Sequence, residues 1–397
     1  MSIGSRMPGE VREVVWSAFK MEQAIYKPGF PSPLQWTVRA ESEPRRRNLF
    51  CPGTVFDAVV EKVRIAGAGL AGLTAAYVLS KANRPVEVYE KKSRLLPSSG
   101  PHTEGIRNYR ERDVLEELNS FGFDLPPFST VLATIRVSPR ARNVIRGPAH
   151  YLFMRGREDH TVDQILFRRA QAAGARFHFD EEIDPADADI AATGPPRDGY
   201  NILGAGYSIS EAGSDLPRDT AYALFDNEVA PGGYFAITPG IGFHSMYSVS
   251  WSELDFDRLL ARTEKAFDLP WIREIVGSGK RVGRILGRAY VAPDPISGAV
   301  RDGTLLVGEA GGFQDAVAGF GFRYSVITGS LAARSLMEGS DYRALLRDTF
   351  GLEFQQASAM REKMNHATND DYDRMIGALG PEISLKEYMK RREARGF

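Results

Sequence analysis

One stretch limits the possible folds more than any other. Val63-Arg64-Ile65-Ala66 is followed by Gly67-Ala68-Gly69-Leu70-Ala71-Gly72, then by Leu73 to Lys81, rich in alanine and leucine, and then by Pro85-Val86-Glu87-Val88-Tyr89-Glu90. The outer runs have the short apolar or alternating character of strands. The middle run has the composition of a helix. Two strands joined through a helix lie parallel in one sheet, because the crossover returns the chain to the same end. The class read from this stretch is α/β, with a Rossmann-like parallel sheet and helices.

The three glycines follow the spacing G-x-G-x-x-G, directly after a strand and at the opening of a helix. Gly67 permits the tight turn, Gly69 lets the backbone approach a pyrophosphate, and Gly72 lets helix and strand pack closely. The helix N-terminus adds free N–H groups and the positive end of a dipole. Ala71 belongs to the same turn. Glu90 closes the second strand about 20 residues beyond the first glycine, the place of a carboxylate that accepts from the adenosine ribose hydroxyls. Such a carboxylate repels a 2′-phosphate, so NADP is disfavoured, although Lys91 and Lys92 soften that argument. FAD and NAD both stay open on this motif alone.

Composition excludes more than it assigns. Fifty basic and 51 acidic residues leave a formal charge of −1, which speaks against a general attraction to nucleic acid or an anionic membrane. The single cysteine, Cys51, allows no intramolecular disulfide framework and no cysteine cluster, and the six histidines show no metal-ligand spacing, so no metal is expected. The first ten residues lack the apolar core of a secretory signal, and no run of ~18 apolar residues occurs. The expectation is a cytoplasmic protein with no integral membrane segment.

Further along, residues 110–122, residues 163–174 and residues from about 321 to Glu338 read as helices. Residues 176–179 and Thr304-Leu305-Leu306-Val307 read as strands. Residues 200–292, rich in glycine, tyrosine and β-branched residues, read as an antiparallel sheet. Residues 1–60 are irregular, with one helix expected near Val11 to Tyr26 and a basic run at Arg45-Arg46-Arg47.

A second glycine cluster, Gly308-Glu309-Ala310-Gly311-Gly312, follows the strand at 304–307 and continues to Gly319-Phe320-Gly321-Phe322-Arg323. Ligands of open α/β sheets bind at the C-terminal ends of strands. A second helix N-terminus after Gly319 and Gly321 can donate N–H groups to an electron-rich ring edge, such as the N1/O2 side of a reduced flavin. An enzyme using NAD alone has no need of this second place; FAD does.

On these two motifs the sequence resembles the FAD-dependent oxidoreductases of the geranylgeranyl reductase type, within the p-hydroxybenzoate hydroxylase-like flavoprotein group. Residues 308–325 follow most of that group's pattern G-D-A-A-G-x-x-x-P-x-x-G-x-G-I-R-x-A, with Glu309 in place of the usual Asp and Ala316 where Pro is common among the departures. Residues 157–174 resemble the helix that carries R-x-x-x-D-x-x-L, with Arg157 as its arginine. Residues 188–194 are similar to the A-T-G turn, and Pro231-Gly232-Gly233-Tyr234 to Pro239 is similar to the substrate motif P-G-G-Y-x-W-x-F-P. There Ala236 and Thr238 replace two large aromatics, so a wider or more polar cavity is expected. The halogenase string W-x-W-x-I-P is absent. The Asp-Gly pair of the monooxygenases is displaced to Asp198-Gly199, and no cysteine stands in the loop at 98–109 where several reductases have one.

The resemblance implies an architecture and a set of roles. The discontinuous FAD-binding domain takes residues 61–125, 155–195 and 295–340. An inserted antiparallel β-sheet substrate domain takes 126–154 and 196–294. A helical C-terminal region takes 341–397, and 1–60 form an extension of unknown role. Non-covalent FAD is the implied cofactor, held by Gly67, Gly69, Ala71, Gly72, Glu90, Lys91, Gly308, Glu309, Gly319, Gly321 and Phe322. Arg107 is implied as a pyrophosphate contact and Phe320 as a shield for the isoalloxazine. His102 and Tyr234 are the catalytic candidates, the latter as a proton donor. The implied activity is transfer of hydride or electrons to or from an organic substrate in a cavity under the sheet, with NAD(P)H or a ferredoxin-like donor. Alternatives are a monooxygenase or tailoring enzyme hydroxylating through a flavin C4a-hydroperoxide, on a small molecule or a protein-borne substrate, or a maturation partner whose flavin is structural.

Overall fold

The computed structural model describes residues 62–95, 101–110, 112–196 and 199–394. The helix expected near Val11, the basic run at Arg45 and the extension to residue 60 lie outside the described residues. The described chain opens with β1 (Val63–Ala66), α1 (Leu70–Lys81) and β2 (Val86–Glu90). Next come β3 (His102–Arg107), α2 (Val114–Ser120), β4 (Ser129–Val137) and β5 (Arg142–Arg155). α3 (Val162–Ala172), β6 (Arg176–Phe179) and β7 (Ile190–Ala191) follow. Then come β8 (Ile202–Ser210), β9 (Thr220–Leu224), β10 (Tyr234–Thr238) and β11 (Phe243–Ser250). α4 (Phe256–Phe267), α5 (Pro270–Val276) and β12 (Arg281–Ala289) complete that region. The chain ends with β13 (Val300–Arg301), β14 (Thr304–Leu306), α6 (Phe322–Glu338), α7 (Tyr342–Asn365), α8 (Asn369–Gly377), β15 (Glu382–Ser384) and α9 (Leu385–Ala394).

The first sheet has the order β13-β14-β7-β1-β2-β6 and is parallel apart from the β13–β14 hairpin. Its centre is apolar on both faces. Ile65 pairs with Ile190 and with Val88, and all three are buried. Helices cover a parallel sheet on both sides, so its strands read as continuous apolar runs rather than alternating ones. α1 is buried along most of its length, with Leu73, Ala75, Ala76 and Leu79 fully enclosed, and it packs against α6 and α3. Each fully buried Leu or Ile of this core contributes roughly 1.5–3 kcal/mol relative to exposure.

The second sheet has the order β12-β8-β11-β10-β9-β4-β5-β15, with β3 also paired to β5. It is mixed rather than antiparallel throughout, because β4–β9 and β5–β15 are parallel pairs. Two segments fall differently from the sequence reading. β3 lies within the stretch expected for the FAD domain yet belongs to this second sheet. β15 adds a strand to a tail expected to be helical. α4 and α5 were not foreseen between the strands of residues 200–292. α4 starts at Asp255, whose side chain accepts the Arg258 N–H at 2.9 Å, and places Leu259, Thr263 and Ala266 on its buried face.

Buried ion pairs fasten the helices together. Arg323, at the start of α6, grips Glu117 of α2 with Nε and Nη2, both at 2.6 Å, and reaches Glu353 of α7 at 3.0 Å through Nη1. Arg110 holds the other oxygen of Glu353 at 2.9 Å. Burial works against charge on Glu353, but the two guanidiniums hold its carboxyl below the usual range.

Candidate cofactor and substrate site

The first glycine turn separates two kinds of glycine. Gly67 has φ +100°, and a Cβ there would stand 2.4 Å from the Ala192 carbonyl oxygen. A Cβ on Gly72 would stand 2.1 Å from the Gly67 carbonyl oxygen. Both are required by neighbouring backbone. Gly69 is exposed, its φ is −72°, and the nearest atom to a Cβ would be 3.9 Å away. The protein itself does not demand a glycine here; what Gly69 leaves open is the approach to the N-terminus of α1. That terminus has no side-chain cap and no acidic residue in its first turn, so its N–H groups and dipole are available to an anion.

Glu90 is turned toward this place. Its Oε2 accepts the Ala68 N–H at 2.9 Å and its Oε1 accepts the Lys92 N–H at 3.0 Å. A carboxylate oxygen has a second lone pair, so both can still accept from hydroxyls. Lys91 is exposed and pairs with Glu182 at 3.7 Å.

The second turn comes up against the first. β14 delivers Gly308, whose φ is +56°, and whose Cβ, if present, would stand 3.0 Å from the Cβ of Ala71. Its N–H donates to Thr328 Oγ1 of α6 at 2.9 Å. The turn at 315–321 is built by Asp315, whose Oδ1 accepts the N–H groups of Val317 at 2.8 Å and Ala318 at 3.1 Å. Gln314 donates through Nε2 to the Gly319 carbonyl at 2.9 Å, while its Oε1 is buried with no hydrogen-bond partner among the described residues. A Cβ on Gly321 would stand 2.4 Å from that oxygen. Gly321 N-caps α6, which again has no side-chain cap and no acidic residue in its first turn. Glu309 is half-buried; burial and the Glu104 carboxylate push its carboxyl up to about 8. These features fit a flavin dinucleotide: two uncapped helix termini, a backbone passage that only glycine allows, two carboxyl groups and an unmatched buried carbonyl oxygen.

The other sequence candidates have defined partners in the fold. The Phe322 side chain is 1% exposed and packs on Phe123 and Phe153, so only its backbone faces the turn. Arg107 forms an ion pair with Asp315, and its guanidinium carbon lies 4.9 Å from the centre of the Tyr109 ring. It lines a large cavity. His102 lies at the start of β3, 3.9 Å from Glu104. The Tyr234 hydroxyl donates to the Ala318 carbonyl at 2.6 Å. Burial, Tyr247 and Asp315 raise its pKa well above the ordinary phenol value. Arg157 is exposed, and its ion pair among the described residues is with its neighbour Glu158. The arginine that meets Asp163 is Arg155, with Nε and Nη2 at 2.9 and 2.7 Å, and it also pairs with Glu104.

The cavity has a volume of about 1750 Å³, and Gly105, Arg107, Tyr109, Arg136 and Phe320 are among its lining. α7 and α9 face them across it. Phe320 stacks on His150 at 5.8 Å and lies over Gly105, where a Cβ would be 3.2 Å from its ring. Sequence reasoning missed Gln314, Asp315, Arg136, His150 and Arg155. Asp315 alone had a local signal, as an Asp whose side chain can accept from the N–H groups two and three residues on.

Among the described residues no group of three or more His, Cys, Asp or Glu is arranged to hold a metal ion. No helix among them is long and apolar enough to cross a membrane.

Residues 65–105 match the family model described as NAD(P)-binding Rossmann-like domain. Comparison with curated proteins by sequence returns no match. Among solved structures, the chain is similar to a geranylgeranyl bacteriochlorophyll reductase-like protein from Thermoplasma acidophilum. The TM-score is 0.67 at 16% identity, over 84% of this chain and 95% of that one. It is also similar to the flavin-dependent brominase Bmp2, with a TM-score of 0.55 at 16% identity over 83% and 92%. The halogenase PltM gives a TM-score of 0.57 at 13% identity over 85% and 84%. In fold, an α/β dinucleotide domain joined to a large second sheet and C-terminal helices, this chain stands with the reductase-like protein, the flavin-dependent brominase and the halogenase.

Proposed function

We propose that this chain is an FAD-dependent oxidoreductase that reduces an organic substrate, as a geranylgeranyl-reductase-like enzyme does. The observation that carries this reading is the contact of the two glycine turns, Gly308 against Ala71. It joins a pyrophosphate-type helix terminus to a second uncapped terminus, as one extended dinucleotide requires. Glu90 would hold the adenosine ribose, and the α1 terminus at Gly69 the pyrophosphate. Gly308 and Glu309 would pass the ribityl chain, with the turn at Gly319 and Gly321 receiving the ring. When bound, FAD supplies transfer of hydride or single electrons.

The chain's own residues then bind, orient and exclude. Asp315 and Gln314 hold the 315–321 turn in shape, and Tyr234 fixes it to β10. Phe320 presents its ring to the cavity and is backed by the stacked ring of His150. Burial and the Arg107 charge pull His150 down to about 3, so it stays neutral and moves no proton near neutrality. Glu309, pushed up to about 8, is protonated near neutrality and holds a transferable proton on its carboxyl.

The test is turnover of candidate substrates by FAD-loaded protein with a chemical reductant, with and without O₂. Product formed without O₂ supports the reductase reading. Strict dependence on O₂ replaces it with an oxygenase at the same site.

A further inference from the structure

Three arginines that reach inward are matched by carboxylates: Arg107 by Asp315, Arg155 by Asp163 and Glu104, and Arg323 by Glu117 and Glu353. Arg361 on α7 is held differently. It is 7% exposed. Its Nε donates to Asn365 Oδ1 and its Nη2 to the Gly232 carbonyl, both at 2.8 Å. Both acceptors are neutral. Its Nη1 is enclosed with no partner among the described residues, so it offers no open edge to a ligand. Burial pulls the guanidinium down to about 10, against the opposing effect of Tyr372 and Asp315. It is therefore a cation near neutrality, without a carboxylate of its own.

That charge lies against a single ring. The Arg361 guanidinium carbon is 4.5 Å from the centre of the Trp251 ring. Cη2 of the same indole would stand 3.4 Å from a Cβ on Gly319. One indole thus separates the guanidinium from the turn at 315–321. Asp315 in that turn is already paired with Arg107 and also feels the charge of Arg392, so it does not neutralise Arg361. The turn leads into the uncapped N-terminus of α6, whose first turn holds no acidic residue. Cation and helix terminus act with the same sign on whatever occupies this place.

An unpaired buried charge costs stability, and in the interior its field extends well beyond contact distance. An anion gains from that field without touching the guanidinium; a neutral group does not. The ring of an oxidised flavin is neutral, whereas two-electron reduction leaves a negative charge at its N1/O2 edge once N1 has lost its proton. The field therefore separates the two forms.

We propose that Arg361, acting across Trp251, favours the reduced, anionic form of a flavin at the Gly319 turn over the oxidised form, and so raises the reduction potential of the site. This rests on the reading of that turn as the ring site of FAD, and it gives a C-terminal helix a part in tuning the cofactor. Arg361 is a positioning charge; it touches neither cofactor nor substrate. By linkage, removing the charge weakens binding of the reduced form relative to the oxidised form by the same factor that lowers the reduced-to-oxidised ratio.

The experiment is reduction of FAD-loaded full-length protein in equilibrium with a reference dye of known potential, for the wild type, Arg361→Met and Arg361→Lys. At equal solution potential the reduced-to-oxidised ratio is expected to fall at least about tenfold in Arg361→Met, a shift of ~30 mV for a two-electron couple. Arg361→Lys keeps the charge and is expected to shift the ratio by less than about threefold. An unmoved potential in folded, flavin-loaded Arg361→Met overturns the proposal. A Lys variant shifted as far as the Met variant also overturns it, because shape rather than charge then sets the potential. If Arg361→Met does not fold, Arg361→Gln supplies the neutral comparison. Protein that retains no FAD fails the flavin reading, and this inference with it. Retained FAD with an unmoved potential fails this inference alone.

Discussion

The Tyr234 hydroxyl donates to the Ala318 carbonyl at 2.6 Å, so the second sheet is tied to the turn that opens α6. Tyr234→Phe keeps the ring and removes that bond. It leaves a carbonyl of the turn without this donor, which costs about 1–3 kcal/mol. A denaturant titration should show that loss, and FAD affinity should fall with it, because the same turn receives the ring. An unchanged affinity in a destabilised variant would separate the turn from the cofactor.

Gly69 and Gly72 should respond oppositely to alanine. Gly72→Ala forces a Cβ to 2.1 Å from a backbone oxygen and should destabilise the fold by about 1–3 kcal/mol or more. Gly69→Ala meets nothing closer than 3.9 Å and should leave thermal stability unchanged, yet its methyl group stands where a pyrophosphate would approach. A loss of FAD affinity of about tenfold or more without a change in melting temperature is the expected outcome.

Arg155 sits between Asp163 and Glu104 with little exposure. Arg155→Met removes the guanidinium that both carboxylates share and should cost about 3–5 kcal/mol. Asp163→Asn should cost less, since Glu104 still pairs with the guanidinium. Paired unfolding curves measure the difference.

The Glu309 carboxyl is raised from 4.5 to about 8 by burial and by Glu104. Between those values the folded chain holds a proton that the unfolded chain has released, so stability falls as pH rises through this window. The slope is at most about 1.4 kcal/mol per pH unit. Glu309→Gln cannot ionise and should flatten the slope: near wild type at pH 4, more stable than wild type at pH 8. Urea unfolding of the FAD-free chain across that range measures it.

What was legible in the sequence was mainly local. Strand, glycine turn, helix and strand from Val63 to Glu90 are adjacent in the chain, and the demands of Gly67 and Gly72 are set within a few residues. The order of the second sheet was not legible, because β4 pairs with β9 and β3 with β5 across long separations, and such registers depend on packing rather than pattern. α4 could have been found from Asp255 and its apolar spacing, but it lay among residues with strand-like composition. The motif resemblance points to Arg157 and passes over Arg155, because spacing cannot tell which side chain the end of a strand turns inward. The Arg107–Asp315 pair joins residues far apart in the chain, and nothing near either residue announces it.

The central claim is that the two glycine turns together form one FAD site. Purified full-length protein, incubated with FAD and freed of excess by gel filtration, measures this directly through its visible absorbance and released flavin. The account predicts about one FAD per chain, with the flavin band near ~450 nm, and loss of that flavin in Gly69→Ala protein that remains folded. Colourless protein that retains no added FAD would contradict it.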